Sequence, residues 1–324
     1  MCTALSLAAG GHFFGRNLDV ERSYGEQVIV TPRRFPLSFR HAGLSGVHHA
    51  LIGMGALHGG CPLYFDAANE HGLCMASLAF PGCAAYFPAA PGEDNIAPFE
   101  LIPWVLSQCS SLVDARGLLT RVRLIDEPFA PDLPLTPLHW LLADASGALV
   151  IESTEEGLRL TDNPLRVLTN SPPIDYHLQH INSCISLTRD PPQSRFAPGV
   201  ALRRCSLGMG AIGLPGDMSS MSRFARAAFI LHNSEFGQEE STVVSRFFHV
   251  LDCVAQPFGV TRMESGEFEY TLYSSCIDAS RGVYYYKTHL CSRIAAVCLH
   301  RADPGGSRLS VYPLVSSPQF LAQN

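Results

Sequence analysis

The sequence predicts an α+β protein in which sheets pack against each other with helices outside. Three observations predict it. Candidate strands and helices fall in blocks, in the order strands, helices, strands, helices, strands, and not in a simple βαβ alternation. Of 324 residues, 47% are hydrophobic and 16% charged, so the chain can bury a large core and does not read as disordered. There is no internal repeat and no low-complexity segment. The proline-rich stretch 190–202 reads as a loop, and nothing around it reads as an interdomain linker, so one domain over 1–324 is expected.

The elements follow from local pattern. Residues 2–8 alternate weakly, Ala9-Gly10-Gly11 makes a turn, and 12–17 runs back, which is a hairpin signature. Further strands are expected at 27–31, 49–54, 72–79, 139–144 and 149–152, with Asp144-Ala145-Ser146-Gly147 as the turn between the last two. Helices are expected at 99–109, kinked at Pro103, and at 112–122, where Ser111 and Asp114 have cap spacing. More helices fit 174–187, 222–233 and 241–254; in the 222–233 segment Phe224, Ala227, Ala228 and Leu231 share a face. The last third returns to strands at 269–277, 282–289, 293–299 and 309–313.

Composition excludes several function classes. A net charge of −6 leaves no electrostatic footprint for nucleic acid, and no basic run suggests a membrane surface. The uncharged stretch 72–92 is long enough to span, but its three prolines and Gly82 make it a buried strand followed by a loop. Eleven cysteines at irregular spacing, with no CxxC pair, argue against zinc and against a disulfide frame. Most are expected to be small buried hydrophobes. Without a secretory signal, the cytoplasm is the expected compartment. His48, His49, His58, His177 and His180 carry no HExxH or carboxylate pattern, so no metal is expected.

Cys2 stands out by position. Removal of Met1 would give it a thiol and a free α-amine on one residue. Their ordinary pKa values, about 8.5 and 7.7–8.0, let the amine act as base for the thiol, so nucleophile and base need no second side chain. The hairpin returns Arg16 and Asp19 near Cys2. A guanidinium favours a thiolate, and a carboxylate can orient an ammonium; a surface Arg–Asp pair of little energetic weight is the plainer reading. In Leu168-Thr169-Asn170-Ser171-Pro172, Asn170 can offer its amide to a developing oxyanion or serve as turn chemistry. Gly208-Met209-Gly210-Ala211-Ile212-Gly213 is a literal GxGxxG, but no strand precedes it and Pro215-Gly216 blocks the helix a dinucleotide site needs; a flexible pocket wall is expected instead. In Ser222-Arg223-Phe224-Ala225-Arg226, Arg226 fits a solvated helical face, and Arg223 can point into a polar site.

Together with Asn69-Glu70-His71-Gly72-Leu73, Leu138-His139-Trp140, Gly213-Leu214-Pro215-Gly216-Asp217 and Val283-Tyr284-Tyr285-Tyr286, these strings resemble the choloylglycine hydrolases, the N-terminal nucleophile hydrolases that include bile salt hydrolases and penicillin V acylases. The resemblance covers nearly the whole chain. It implies a four-layer αββα sandwich of two antiparallel sheets flanked by helices, maturation by loss of Met1, and hydrolysis of a linear amide. By motif match, Cys2 is the nucleophile, Arg16 lies near the thiol and Asp19 holds the amine. Asn170 supplies one oxyanion donor, the backbone N–H of Ala79 the second, and Arg223 completes the polar site. Leu18, His58, Phe129 and Leu133 match substrate-lining positions.

One position departs from the family. Ser77-Leu78-Ala79-Phe80-Pro81 carries Ala79 where relatives hold Asn or Tyr, which keeps the backbone donor and loses a side-chain contact. The resemblance implies a glycine- or taurine-conjugated bile salt as substrate, with penicillin V or an N-acyl-homoserine lactone as alternatives. It implies no metal, no cofactor, and a homotetramer.

Overall fold

The computed structural model describes all residues, Met1–Asn324. Strand alternation explains its layering. Alternate side chains of a strand point to opposite faces, and here the central strands of the larger sheet send one set inward and the other outward. Ile52, Ala76, Leu141 and Val150 join one core; their neighbours Leu51, Met75, Leu142 and Ile151 join a second.

The first sheet runs in the order Val167–Leu168, Cys2–Ala8, His12–Val20, Phe268–Asp278, Val283–Thr288, Ala295–Cys298, with Thr261–Arg262 paired to Phe268–Asp278. The second runs Gly157–Asp162, Ala148–Thr154, Leu138–Ala143, Cys74–Ala79, Cys61–Asn69, Leu51–His58, Gln27–Thr31, Ser310–Pro313. Every pairing in both is antiparallel. Helices α1 (Leu101–Leu106) and α2 (Leu112–Leu119) cover the outer face of the second sheet through the core that holds Trp140 and Leu142. Helix α3 (Ile174–His180) packs on α4 (Ser220–Asn233), and α4 and α5 (Glu240–Asp252) cover the first sheet. The result is an αββα sandwich. No helix is long and apolar enough to cross a membrane.

The N-terminal hairpin forms as its pattern predicts, with Cys2 opposite Leu18 and Ala8 opposite His12. Gly15 is required there by close approach: a Cβ at that position would sit 1.9 Å from the carbonyl oxygen of Ser275 on the neighbouring strand. Phe224, Ala227, Ala228 and Leu231 are buried along α4 as one face. Ser111 caps α2 by accepting from the N–H of Asp114 at 3.1 Å.

Several expectations are corrected. Pro103 lies in the first turn of α1, where its missing N–H breaks no bond, so it is a helix starter and not a kink. The strands Cys61–Asn69 and Gly157–Asp162 were not expected; the first carries Pro62 near its start and the second is only half-buried, which weakens the alternation signal. Only Cys2, Cys74, Cys109, Cys276 and Cys291 are buried; Cys205 and Cys253 are exposed and the rest intermediate, and all are unpaired. Arg226 does not face solvent. It is buried and donates to the carbonyls of Cys253, Pro215 and Asp217.

Candidate active site

The hairpin sets Cys2 against the second sheet. Directly opposed residues of an antiparallel pair point to the same face, so Cys2, Ala4, Arg16 and Leu18 share one face while Thr3, Asn17 and Asp19 share the other. Asn17 confirms the assignment by donating to the carbonyl of Leu251 in α5 at 2.8 Å. Cys2 is buried, with 4% of its surface exposed.

Asn170 ties the site together. It follows the edge strand Val167–Leu168, and its backbone is held by two groups through three contacts: Ser220 Oγ accepts from its N–H at 2.9 Å, and its carbonyl lies 2.9 Å from Ser220 Oγ and accepts from His177 Nε2 at 3.0 Å. Its side-chain Oδ1 accepts from the Cys2 N–H at 2.7 Å and from Arg223 at 2.8 Å. Its Nδ2 donates to the carbonyl of Ala79 at 2.8 Å, across the gap between the sheets. An amide nitrogen has two hydrogens, so one is left to donate.

Ala79 points the same way. Phe80 N–H donates to Pro137 O, so in the ladder with Leu138 (opposite Ala79) the polar backbone groups of Ala79 turn away from that partner. A strand residue directs its N–H and C=O to the same side, and the C=O of Ala79 meets Asn170. Its N–H therefore lies on that same side of the strand.

Two buried arginines flank Cys2. Arg223 donates to Cys2 O at 2.6 Å, Thr3 Oγ1 at 2.7 Å and Met218 O at 3.0 Å. Burial pushes its pKa down, Asp19 and Cys2 oppose that, and Arg226 adds to it; an arginine stays charged regardless. Arg16 donates to the carbonyls of Phe65 at 3.0 Å and Ser77 at 2.5 Å, and one of its terminal nitrogens has no partner. Burial works against its charge, but Cys2, Tyr273, Asp66 and Asp19 together hold its pKa above the ordinary value. Asp66 is itself fully buried and accepts from Tyr273, Tyr284 and Ser275.

Asp19 is placed by groups the sequence did not flag. Thr271 Oγ1 donates to it at 2.6 Å and Gln256 Nε2 at 3.4 Å. These partners lie more than 230 residues away, so no local signal could have found them. Met1 precedes Cys2, so the nitrogen of Cys2 is a peptide N–H. The Met1 ammonium donates to Asp19 O at 3.0 Å and pairs with Glu269. Burial lowers its pKa, opposed by Cys2 and Asp19 and reinforced by Arg223 and Arg16.

The four expected lining residues divide. Leu18 is buried opposite Cys2. His58 and Phe129 meet edge to face at 5.6 Å, and Arg40 braces the Phe129 loop through the carbonyls of Pro128 and Phe129. Leu133 closes a tight turn with Ala130 in that loop. Both loops leave the end of the second sheet at which Ala79 lies. The glycine-rich segment forms a short 3-10 turn at Met209–Ala211 with no strand before it, and Ile212 and Gly213 line a cavity of about 450 Å³ beside Asp217. The histidines expected not to bind metal stay dispersed except His49, which meets His71 and Glu70. There Glu70 already accepts from Arg33 and from the Ala50 N–H, and the group lies at the opposite end of the sheet from Ala79.

Comparison with known proteins adds to this geometry. Residues 2–309 match the family of linear amide C–N hydrolases, choloylglycine hydrolase family. The chain is 47% identical over 324 residues, all of both chains, to a bile salt hydrolase/transferase of Lactiplantibacillus plantarum. It is 33% identical over 317 residues, 96% of each, to a bile salt hydrolase/transferase of Clostridium perfringens. Among solved structures, a variant of the conjugated bile acid hydrolase of Clostridium perfringens superposes with a TM-score of 0.92 at 31% identity, covering 100% of both chains. Penicillin V acylase of Agrobacterium tumefaciens gives 0.73 at 19% identity over 96% of this chain and 90% of its own, a likeness of fold.

Proposed function

The chain belongs to the choloylglycine hydrolase family of linear amide C–N hydrolases, and on that premise we propose that it cleaves the amide of glycine- or taurine-conjugated bile salts, with Cys2 as nucleophile once Met1 is removed. The observation that carries this reading is the bonding of Asn170, which joins the Cys2 nitrogen, Arg223 and Ala79 in one buried cluster.

The mechanism follows from those contacts. Loss of Met1 turns the Cys2 nitrogen into an amine that keeps Asn170 Oδ1 as acceptor. The ordinary pKa values of an α-amine and a cysteine thiol lie close together, so the amine can take the thiol proton near neutral pH. Arg16 supplies positive charge beside the thiolate. Attack on the substrate carbonyl gives a tetrahedral oxyanion, which accepts from the second Asn170 N–H and from the Ala79 N–H. Each such donor is worth about 2.7–4 kcal/mol in the transition state. The ammonium then protonates the leaving nitrogen, and water cleaves the thioester. Both relatives above are also named transferases; an amine replacing water at this last step would give that outcome.

Leu18, His58, Phe129 and Leu133 are assigned to the acyl pocket, where an apolar group needs few polar contacts. The bile conjugate is preferred to penicillin V or an acyl-homoserine lactone on the identity and full coverage of the bile-acting relatives. Eleven unpaired cysteines suit a reducing compartment, and a cytoplasmic homotetramer completes the reading. The test measures glycine release from glycocholate beside phenoxyacetate release from penicillin V. Faster bile-conjugate cleavage is expected; no cleavage of the conjugate would overturn the substrate assignment.

A further inference from the structure

The two oxyanion donors lie on different sheets. Ala79 ends a strand of the second, and Asn170 follows an edge strand of the first. The single direct bond between them, Asn170 Nδ2 to Ala79 O, leaves open what fixes their separation.

One buried imidazole touches both halves. His139 stacks on Phe80, the residue after Ala79, with ring centres 4.3 Å apart and planes within 8°. Its Nε2 lies 2.9 Å from the carbonyl of Thr169, the residue before Asn170. Its Nδ1 lies 3.3 Å from Glu152 Oε1, which also accepts from the N–H of Ile174 at 2.9 Å. The turn carrying Asn170 is thus pinned at both ends, at Thr169 by the imidazole and at Ile174 by the carboxylate. Register explains the convergence: His139 is opposite both Leu78 and Glu152 in its sheet. A carbonyl only accepts, so Nε2 carries a proton. His139 and Glu152 are 0% and 1% exposed. Neither side chain is hydrogen-bonded to Cys2, Arg16 or Arg223.

We propose that His139, braced by Glu152, is a positioning residue that sets the distance between the Ala79 and Asn170 oxyanion donors. The proposal rests on the amide-hydrolase reading above. A misplacement of about 1 Å at a reacting centre costs on the order of 10²-fold in rate, which is the scale expected here.

The test compares His139→Phe, which keeps a ring against Phe80 but cannot donate to Thr169 O, with His139→Gln, which keeps an N–H. Thermal unfolding first establishes that each is folded at the assay temperature. The expected result for His139→Phe is a kcat lower by about 100-fold, with KM within threefold and alkylation of Cys2 by iodoacetamide within twofold of wild type. His139→Gln should recover about tenfold of that loss. Should His139→Phe not fold, Glu152→Gln, nearly isosteric, should lower kcat about tenfold with the same unchanged alkylation. A folded His139→Phe with kcat within twofold of wild type would overturn the proposal, as would equal losses of kcat and Cys2 alkylation, which mark general collapse of the site. Failure of the functional reading appears separately, as a wild-type protein that cleaves no amide substrate; the positioning role then falls with it.

Discussion

The two ends of the N-terminal hairpin are built to opposite specifications. At the turn end His12 is buried and both ring nitrogens are matched, by Ser6 Oγ at 3.1 Å and the carbonyl of Gly72 at 3.1 Å. Burial, opposed by the Gly72 bond, lowers its pKa to about 4, so the ring is neutral and serves as a bridge between the sheets. At the open end charge is kept in spite of burial. Arg16, Arg223 and Asp19 are each about 1% exposed or less, and a nitrogen of Arg16 and the side-chain Oδ1 of Asn17 have no partner. A buried unmatched polar atom costs about 1–3 kcal/mol. One pair of strands therefore carries a neutral end whose buried ring is matched and a charged end with unmatched buried atoms.

Substitutions at the two ends should separate along that line. Cys2→Ser should show the largest effect, a loss of amide hydrolysis on the order of 10³-fold or more with the unfolding temperature nearly unchanged, since the shape is kept and an alcohol of far higher pKa replaces the thiol. Comparable rates would erase the distinction between the ends. Asn170→Ala should lower kcat by about 10²–10³-fold and KM little. A change confined to KM would mean that Asn170 binds substrate without stabilising the oxyanion.

His12 should act on stability alone. Its folded pKa of about 4 lies below the ordinary 6.5, so the unfolded chain takes up the proton first. The contribution is complete above pH 6.5 and is lost as pH falls toward 4, about 3 kcal/mol in all. Urea midpoints from pH 7 to 4.5 should fall with that slope, and His12→Gln should flatten it; an unchanged slope would place the acid sensitivity elsewhere. The smallest effect is expected at an exposed pair remote from the hairpin. Arg159→Ala, which removes the ion pair with Asp175, should cost no more than about 0.2–1 kcal/mol in a urea titration.

The same contrast shows what a sequence can reveal. Both hairpin strands, the 144–147 turn and the buried face of α4 were legible because the signal is local: alternation, turn residues, spacing of apolar positions. The motif strings named candidate site residues, and of these Asn170, Arg223 and Cys2 do meet. Their anchors were not. Thr271 and Gln256 on Asp19, Ser220 on Asn170 and the Asp66 cluster beneath Arg16 are long-range polar contacts, which leave no periodicity. The burial of Arg226 was missed for a related reason: its three acceptors are backbone carbonyls, and any residue type can provide those. Exposed Cys205 and Cys253 also bear on experiment, because total alkylation would count them; Cys2 must be followed by its own peptide.

The proposed chemistry requires that Cys2 be the first residue of the chain. It is tested most directly by the intact mass and the turnover of one preparation, beside a second preparation in which cleavage of Met1 is blocked. The active protein should lack one methionine, and the blocked protein, with its Cys2 nitrogen still in a peptide bond, should be inactive. Undiminished turnover by chains that retain Met1 would contradict it.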